Sequence, residues 1–500
     1  MLTVFLVGVF GAIAGSFLNV VIHRLPLGLS IIHPRSFCPR CGNPIRWYHN
    51  WPVVGWLTLR GRCHDCGEPI AMRYPLVEAA TALIFVAVWD ALFRAKLIPG
   101  AGQLASDWPL AGAYFTLYGG LLVSSALDIE SYTIDIRVAL LVMTVGLACH
   151  TAMGLPAEVF EPNAPGVTAI PVGPLGLLPP ALCVIALAMG LTWLLTWAAA
   201  AAIDSARGSG RTSSPPMSLA QSAPAGIAAE HSPAPDPLAT ASARGAAEFQ
   251  PGVLIALCLL ILGQMAWQAA APHEPSDWRL QAGAIRVLIA AAICMMVLIL
   301  ASWEKRPVDH QIIGEIEASR SQARPMALRE LLWFMPALVV GFGLLLVWRR
   351  TGAMERNWVE MFDAFSIPAG WRLHLGGAMH AAASMIWAAA MGWTVRILGT
   401  LAFGKEAFGT GDVYLMAAIG AVAGIWNVFF GFFIAAMLAL VGVLAMLLRK
   451  TSRAIPFGPW LALGSFVCMG VQVELTRFFQ HAGSFVWAII ADRAAWTRGV

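Results

Sequence analysis

Charged side chains are scarce in this chain. Asp, Glu, Lys and Arg make up 12% of its 500 residues while 58% are hydrophobic, and the mean hydropathy is +0.71. A soluble domain carries about a quarter of its residues as charges, so this balance excludes one and leaves a polytopic membrane protein. An excess of either sign is also missing. The formal net charge is +4, which implies no nucleic-acid patch, and the basic residues matter for where they lie. The first apolar run, 2–22, lacks both a basic segment ahead of it and a small-residue cleavage site, so it reads as a retained span. No nucleotide-type glycine fingerprint is visible either.

What the chain has in abundance is apolar helix. A bilayer core of ~30 Å takes about 20 residues to cross. Runs of this kind fall at 2–22, 76–93, 110–127, 136–153, 175–202, 253–271, 284–302, 331–348, 376–403, 413–424, 428–448 and 460–473, with a short one at 485–490. The expected fold is an all-α polytopic integral membrane protein with about 11–13 transmembrane helices and a small cytoplasmic zinc-binding loop domain.

Orientation follows from Arg and Lys. The segment 23–74 carries Arg24, Arg35, Arg40, Arg46, Arg60, Arg62 and Arg73 against Asp65 and Glu68, which assigns it to the cytoplasm. Counting crossings from there puts Asp128 at the cytoplasmic end of the third span, Glu158 and Glu161 outside, and Lys305, Arg306, Arg320, Arg324 and Arg329 inside. Six crossings after Asp128 the chain is back at the cytoplasmic face at Lys405, just before Asp412. Arg94, Lys96, Arg349 and Arg350 land outside, against the trend.

Two carboxylates therefore share one face. Gly409-Thr410-Gly411-Asp412 opens an apolar run, and an acid at the mouth of a membrane helix points to function unless it merely caps that helix. Its glycines let an extended peptide approach closely. Asp128 ends another span, with Glu130 and Asp135 as competitors for the first acid. Paired carboxylates at one depth let one ionise and activate water while the other, protonated, donates to a carbonyl. Lys405 and Glu406 either tune the pair or are simply solvated, the second being preferred; Glu78 reads as a local partner of Arg73 or a holder of a basic substrate residue, and His23, His150 and His380 as helix-packing histidines.

The cysteines give an independent signal. Cys38-Pro39-Arg40-Cys41 and Cys63-His64-Asp65-Cys66 are two C-x2-C knuckles separated by 21 residues, the pattern of a four-thiolate zinc site. Cytoplasmic thiols stay reduced, and four thiolates leave no open position, so the metal is structural. The remaining cysteines, Cys149, Cys183, Cys258, Cys294 and Cys468, lie in apolar spans as small core residues.

These residues resemble a family. Gly15-Ser16-Phe17-Leu18-Asn19-Val20-Val21-Ile22-His23-Arg24-Leu25-Pro26, the double C-x2-C loop, Arg73-Tyr74-Pro75-Leu76-Val77-Glu78, Leu127-Asp128, Gly409-Thr410-Gly411-Asp412-Val413 and Pro456-Phe457-Gly458-Pro459-Trp460 stand in order. In that order they are similar to the type IV prepilin peptidases, bifunctional leader peptidases and N-methyltransferases of the G-x-G-D aspartyl protease group. The resemblance covers roughly the first 150 residues and the last hundred. It implies that Asp128 and Asp412 are the catalytic pair, with Gly409, Gly411 and Glu78 positioning substrate or backbone, and with zinc on Cys38, Cys41, Cys63 and Cys66. It further implies cleavage of the basic leader of a prepilin or pseudopilin at the bacterial cytoplasmic (inner) membrane, and methylation of the new N-terminus with S-adenosylmethionine, an activity associated with the cysteine loop. The lipid bilayer is the other partner expected, and nucleic acid is not. A protease-only or degenerate relative is the first alternative, and a transporter or assembly scaffold using the aspartates for protons is the second.

The chain also departs from the family pattern. Asp135 stands where the family has proline, and Tyr414 where a lysine usually follows G-x-G-D-Val. The interval from 128 to 412 is much longer than the family's. The organisation expected is a first helix at 1–24, a cysteine loop at 25–75, spans with the first acid at 76–154, an insertion at 155–375 containing a disordered linker at 203–250, spans with the G-x-G-D motif at 376–473, and a terminal segment at 474–500.

Overall fold

The computed structural model describes residues 2–98, 103–155, 178–207, 276–301, 308–352, 358–448 and 456–471, with 263–264, 474–475 and 478. Most of the linker at 203–250, most of the run at 253–271, the run at 485–490, and Glu158, Glu161, Lys305 and Arg306 lie outside the described residues; 203–207 continue a helix. The helices that carry the argument are α1 (Leu2–Arg24), α2 (Arg73–Trp89), α3 (Leu104–Ser131), α4 (Ile136–Met153), α5 (Pro180–Arg207), α6 (Ser276–Ala301), α7 (Val308–Thr351), α8 (Ala369–Phe403) and α9 (Thr410–Leu448). A further helix, α10 (Gly458–Val471), follows them. Eight of the described helices are long and apolar enough to cross a membrane, and Gln281–Cys294 and Gly458–Val471 are shorter apolar helices.

The distribution of polarity is that of a protein solvated by lipid. Phe5, Leu332, Phe342 and Met437 are exposed on the outside of the bundle, while Asn19, Glu78, Asp90, Ser124, Asp128, Arg286, Arg396, Asp412 and Asn427 are buried within it. Hydrocarbon offers no hydrogen bonds, so helices satisfy their own backbones and polar side chains turn toward each other. Asp90, at the far end of α2, accepts from Arg286 of α6 at 2.8 Å.

Small residues set the tightest contacts. A Cβ added at Gly11 or Gly15 of α1 would lie 2.8 Å from Ala82 Cα or 2.7 Å from Glu78 Cα of α2, the close approach that a G-x-x-x-G face permits. Asn19 then donates to the Tyr74 carbonyl at 3.0 Å. This pairing fixes the ends of α1 and α2, between which the cysteine loop emerges.

Helix α9 contains a reversal. Its first run lies alongside α4, with Gly411 against Ile134 and Gly146 against Val422, and His150 Nε2 is 3.0 Å from the Val422 carbonyl oxygen. At Gly424 the backbone takes φ 82 and ψ 165. Beyond it the contacts run back along α10: Ser465 Oγ pairs with Asn427 Oδ1 at 2.7 Å, Gly431 packs on Ser465, and Gly442 packs on Trp460, two residues after Gly458. The runs expected at 413–424 and 428–448 are thus separate. That φ/ψ region is essentially restricted to glycine. Gly424→Ala is expected to destabilise the protein by about 1–3 kcal/mol, measured as a lower thermal midpoint in detergent, although nothing lies within 4 Å of the added Cβ.

Candidate active site and metal centre

Asp128 sits in the last turn of α3, which ends where Tyr132 adopts the left-handed conformation and its amide donates to the Asp128 carbonyl at 2.9 Å. Its side chain is 6% exposed. Asp412 sits in the first turn of α9 and is 8% exposed. The two carboxylates lie within electrostatic reach of each other. Helices distant in sequence therefore bring the two sequence-predicted acids to one place.

Each acid is held by backbone. The Gly458 amide donates to Asp128 Oδ2 at 2.9 Å, and a Cβ at Gly458 would lie 2.7 Å from that oxygen. The Gly409 backbone faces the Asp412 carboxylate, and a Cβ at Gly409 would lie 3.2 Å from Asp412 Oδ2. Gly411 packs on Ile134, where an added Cβ would lie 2.7 Å from the Ile134 Cβ. Asp412 Oδ1 is buried and has no hydrogen-bond partner among the described residues, as is also true of the Ser124 and Ser125 hydroxyls one turn before Asp128. Unsatisfied buried oxygens beside an acid pair form a place for water and a polar substrate.

The competing acids are already engaged. Asp135 caps α4, accepting from the Arg137 amide at 2.9 Å and pairing with the Arg137 side chain. Glu130 forms an ion pair with Arg73. That pair corrects the local reading of Glu78, which instead accepts from the Val53 amide at 2.7 Å and anchors the cysteine loop to α2. Glu406 is corrected as well: it is paired with Arg396 rather than simply solvated. Sequence reasoning assigned no role to Gly458, although its Pro-Phe-Gly-Pro-Trp block was visible, or to Arg396.

The cysteine loop folds as two matching knuckles. In the first, Cys38 N donates to Asn43 O at 2.9 Å and Gly42 N to Cys38 O at 2.8 Å; in the second, Cys63 N donates to Glu68 O at 2.8 Å and Gly67 N to Cys63 O at 3.0 Å. Each knuckle reads Cys-x-x-Cys-Gly-x-Pro, and each closes with one bridge, Phe37 to Pro44 and Arg62 to Pro69. Gly42 and Gly67 take φ 73 and 72, where a side chain would strain the turn.

The four sulfurs lie within 4.8 Å of one another. Four thiolates at ~2.3 Å around a tetrahedral ion stand roughly 3.8 Å apart, so the set fits a metal with small adjustment. Amides of Cys66 and Asp65 lower the Cys63 thiol to about 7. Cys66 is pushed up to about 12 by desolvation and the neighbouring sulfurs, although the Glu68 amide opposes this.

The model of the Bacterial Peptidase A24 N-terminal domain matches residues 9–92, which span α1, the cysteine loop and α2. A prepilin leader peptidase/N-methyltransferase of Klebsiella pneumoniae is 37% identical over 173 residues, covering 33% of this chain and 68% of the relative. The chain belongs to the prepilin leader peptidase/N-methyltransferase family. Relatives of the same name from Myxococcus xanthus (strain DK1622) and Aeromonas hydrophila are 39% and 42% identical over 150 and 137 residues, covering 30% and 22% of this chain. The chain spans 41% and 46% of the length of those two relatives. No solved structure matches. Membership of the prepilin leader peptidase/N-methyltransferase family agrees with the motif blocks and with a multi-pass membrane protein.

Proposed function

We propose that this protein is a membrane aspartyl endopeptidase that removes the basic leader of type IV prepilins or pseudopilins and N-methylates the new N-terminus. The observation that carries the reading is that Asp128 and Asp412 are both buried and lie within electrostatic reach of each other. Asp412 Oδ1 beside them lacks a partner among the described residues. One carboxylate, ionised, takes a proton from water as the oxygen attacks the scissile carbonyl; the other, protonated, donates to the carbonyl oxygen. Proton return to the amine then breaks the C–N bond. Gly409 and Gly411 leave room for the extended substrate strand beside Asp412, and Glu78 positions the cysteine loop rather than meeting the substrate.

The location proposed is the bacterial cytoplasmic (inner) membrane, with both acids at the cytoplasmic face and the products serving type IV pili or type II secretion. Zinc is the metal proposed for Cys38, Cys41, Cys63 and Cys66, where it would fix the loop. S-adenosylmethionine would supply the methyl group; this rests on family membership, and no residue is assigned to it.

The test is co-expression with a prepilin from the same genome, followed by gel shift and N-terminal mass spectrometry. A shortened product carrying one added methyl mass is expected, and an unprocessed prepilin would overturn the reading. In the same assay Gly458→Ala, whose Cβ would crowd Asp128 Oδ2, is expected to lower turnover about 100-fold, the effect of a displacement near 1 Å.

A further inference from the structure

A buried guanidinium lies behind the loop that delivers Asp412. Arg396 of α8 is 7% exposed. Its Nη1 donates to the Phe408 carbonyl at 2.6 Å and pairs with Glu406. Its Nε and Nη2 fork onto Glu330 of α7 at 3.2 Å each. A charge in a membrane helix persists only when it is paired, and these partners tie α7, α8 and the 404–409 loop together. Ala407 N donates to Thr400 Oγ1 at 3.3 Å, bracing the same loop, and Arg324 Nε of α7 donates to the Leu401 carbonyl in the last turn of α8 at 3.2 Å.

The Phe408 carbonyl and the Gly409 amide are opposite ends of one peptide group. That group is planar, so fixing the direction of C=O fixes the direction of N–H. Arg396 grips the carbonyl, and the amide on the other side faces the Asp412 carboxylate, whose Oδ2 would lie 3.2 Å from a Cβ at Gly409. We propose that Arg396 is a positioning residue that orients Asp412 through the Phe408–Gly409 peptide. We propose further that α7, from the 155–375 region outside the family resemblance, braces Arg396 through Glu330. The inference rests on the protease reading above. It gives the added region a task, because without Glu330 the guanidinium keeps Glu406, the Phe408 carbonyl and the Trp393 ring but loses its anchor on α7, and its hold on the peptide loosens.

The test is prepilin cleavage by the full-length protein in detergent, with kcat and KM determined for Arg396→Gln, Arg396→Lys and Glu330→Gln beside Asp128→Asn and Asp412→Asn. Rates are normalised to folded, membrane-extracted protein. Arg396→Gln is expected to lower kcat about 100-fold with KM within a factor of two, as for misplacement of a catalytic group. Arg396→Lys, which keeps one donor for the carbonyl, is expected to recover part of that loss. Glu330→Gln, which keeps the guanidinium and its other partners, is expected to lower kcat roughly tenfold, and its effect should not add to that of Arg396→Gln. If Arg396→Gln fails to fold, Glu330→Gln and Arg396→Lys carry the test. Unchanged kcat in the folded variants, or a loss matched by an equal fall in thermal midpoint and undone by cooling, would overturn the inference alone. Cleavage retained in both aspartate variants would overturn the protease reading and this inference with it.

Discussion

Asp412→Asn is expected to abolish prepilin cleavage while leaving the protein in the membrane at its normal level, and Asp128→Asn is expected to do the same. The change keeps size and shape but removes the ability to exchange a proton. General acid–base catalysis contributes about 10²–10⁴-fold per group, and because the two acids act as one unit, each single variant should lose roughly the whole effect. Neither acid contributes a strong bond to the fold. Asp128 accepts one amide from Gly458 and Asp412 has an oxygen without a partner, so the isosteric amide should be tolerated. Asp135→Ala serves as the contrast, because that side chain caps α4 and pairs with Arg137; loss of a cap costs about 1 kcal/mol of stability and leaves the acid pair in place. A transporter or scaffold that uses the aspartates for protons predicts the opposite pattern. In that case Asp412→Asn would leave processing untouched.

Cys38→Ser is the second change with a large expected effect. It should abolish binding of the zinc proposed for this site, read as loss of one equivalent by elemental analysis, and open the segment 36–70 to limited proteolysis. Structural zinc contributes about 10–16 kcal/mol of apparent binding free energy at neutral pH, which is folding free energy for a small metal loop. Besides a metal, the knuckles are held by one bridge each, a few turn hydrogen bonds, the Asn43–Asp65 hydrogen bond at 3.1 Å and the exposed ion pairs of Arg40 with Glu68 and Arg46 with Asp65. The loop is anchored to the bundle at separate points, by Glu78 to the Val53 amide and by Arg24 to the Ser30 and Pro34 carbonyls at 3.0 and 2.8 Å, while Arg73 to Glu130 ties the start of α2 to α3. The spans therefore keep their arrangement when the metal is lost. Methyl incorporation is expected to fall much further than cleavage, measured on one product by mass spectrometry. Equal loss of both would show that the loop forms part of the cleavage site.

Much of the molecule was legible without coordinates. The apolar runs marked the helices because a membrane span is defined by the composition of about 20 adjacent residues. The reversal at Gly424 falls between two runs separated on hydropathy alone, since glycine there interrupts both the apolar pattern and the helix. The knuckles were equally plain. Metal spacing is local geometry, and their Cys-x-x-Cys-Gly-x-Pro repeat determines both the turn and the direction of the sulfurs.

Side-chain partnership was less visible. Arg73 and Glu78 are neighbours in sequence, yet Arg73 pairs with Glu130 on α3 and Glu78 takes the Val53 amide. Glu406 looked solvated because its partner is on another helix. Arg396 carried no signal in sequence, since a lone arginine in an apolar run looks like one that snorkels to the interface. Its significance depends on Glu330 and Phe408 arriving beside it.

The sequence by itself therefore determined the membrane class, the metal loop, the family blocks and the two candidate acids, because each is a property of residue type over a short stretch or of blocks in fixed order. The tertiary structure alone decided that Asp128 and Asp412 come within electrostatic reach of each other, that Glu130 and Asp135 are engaged elsewhere, that Gly458 holds the first acid, and that Arg396 lies behind the second. Such facts depend on which helix faces dock. Docking is set by close packing at positions such as Gly11, Gly146 and Gly431, where the absence of a side chain lets two backbones touch.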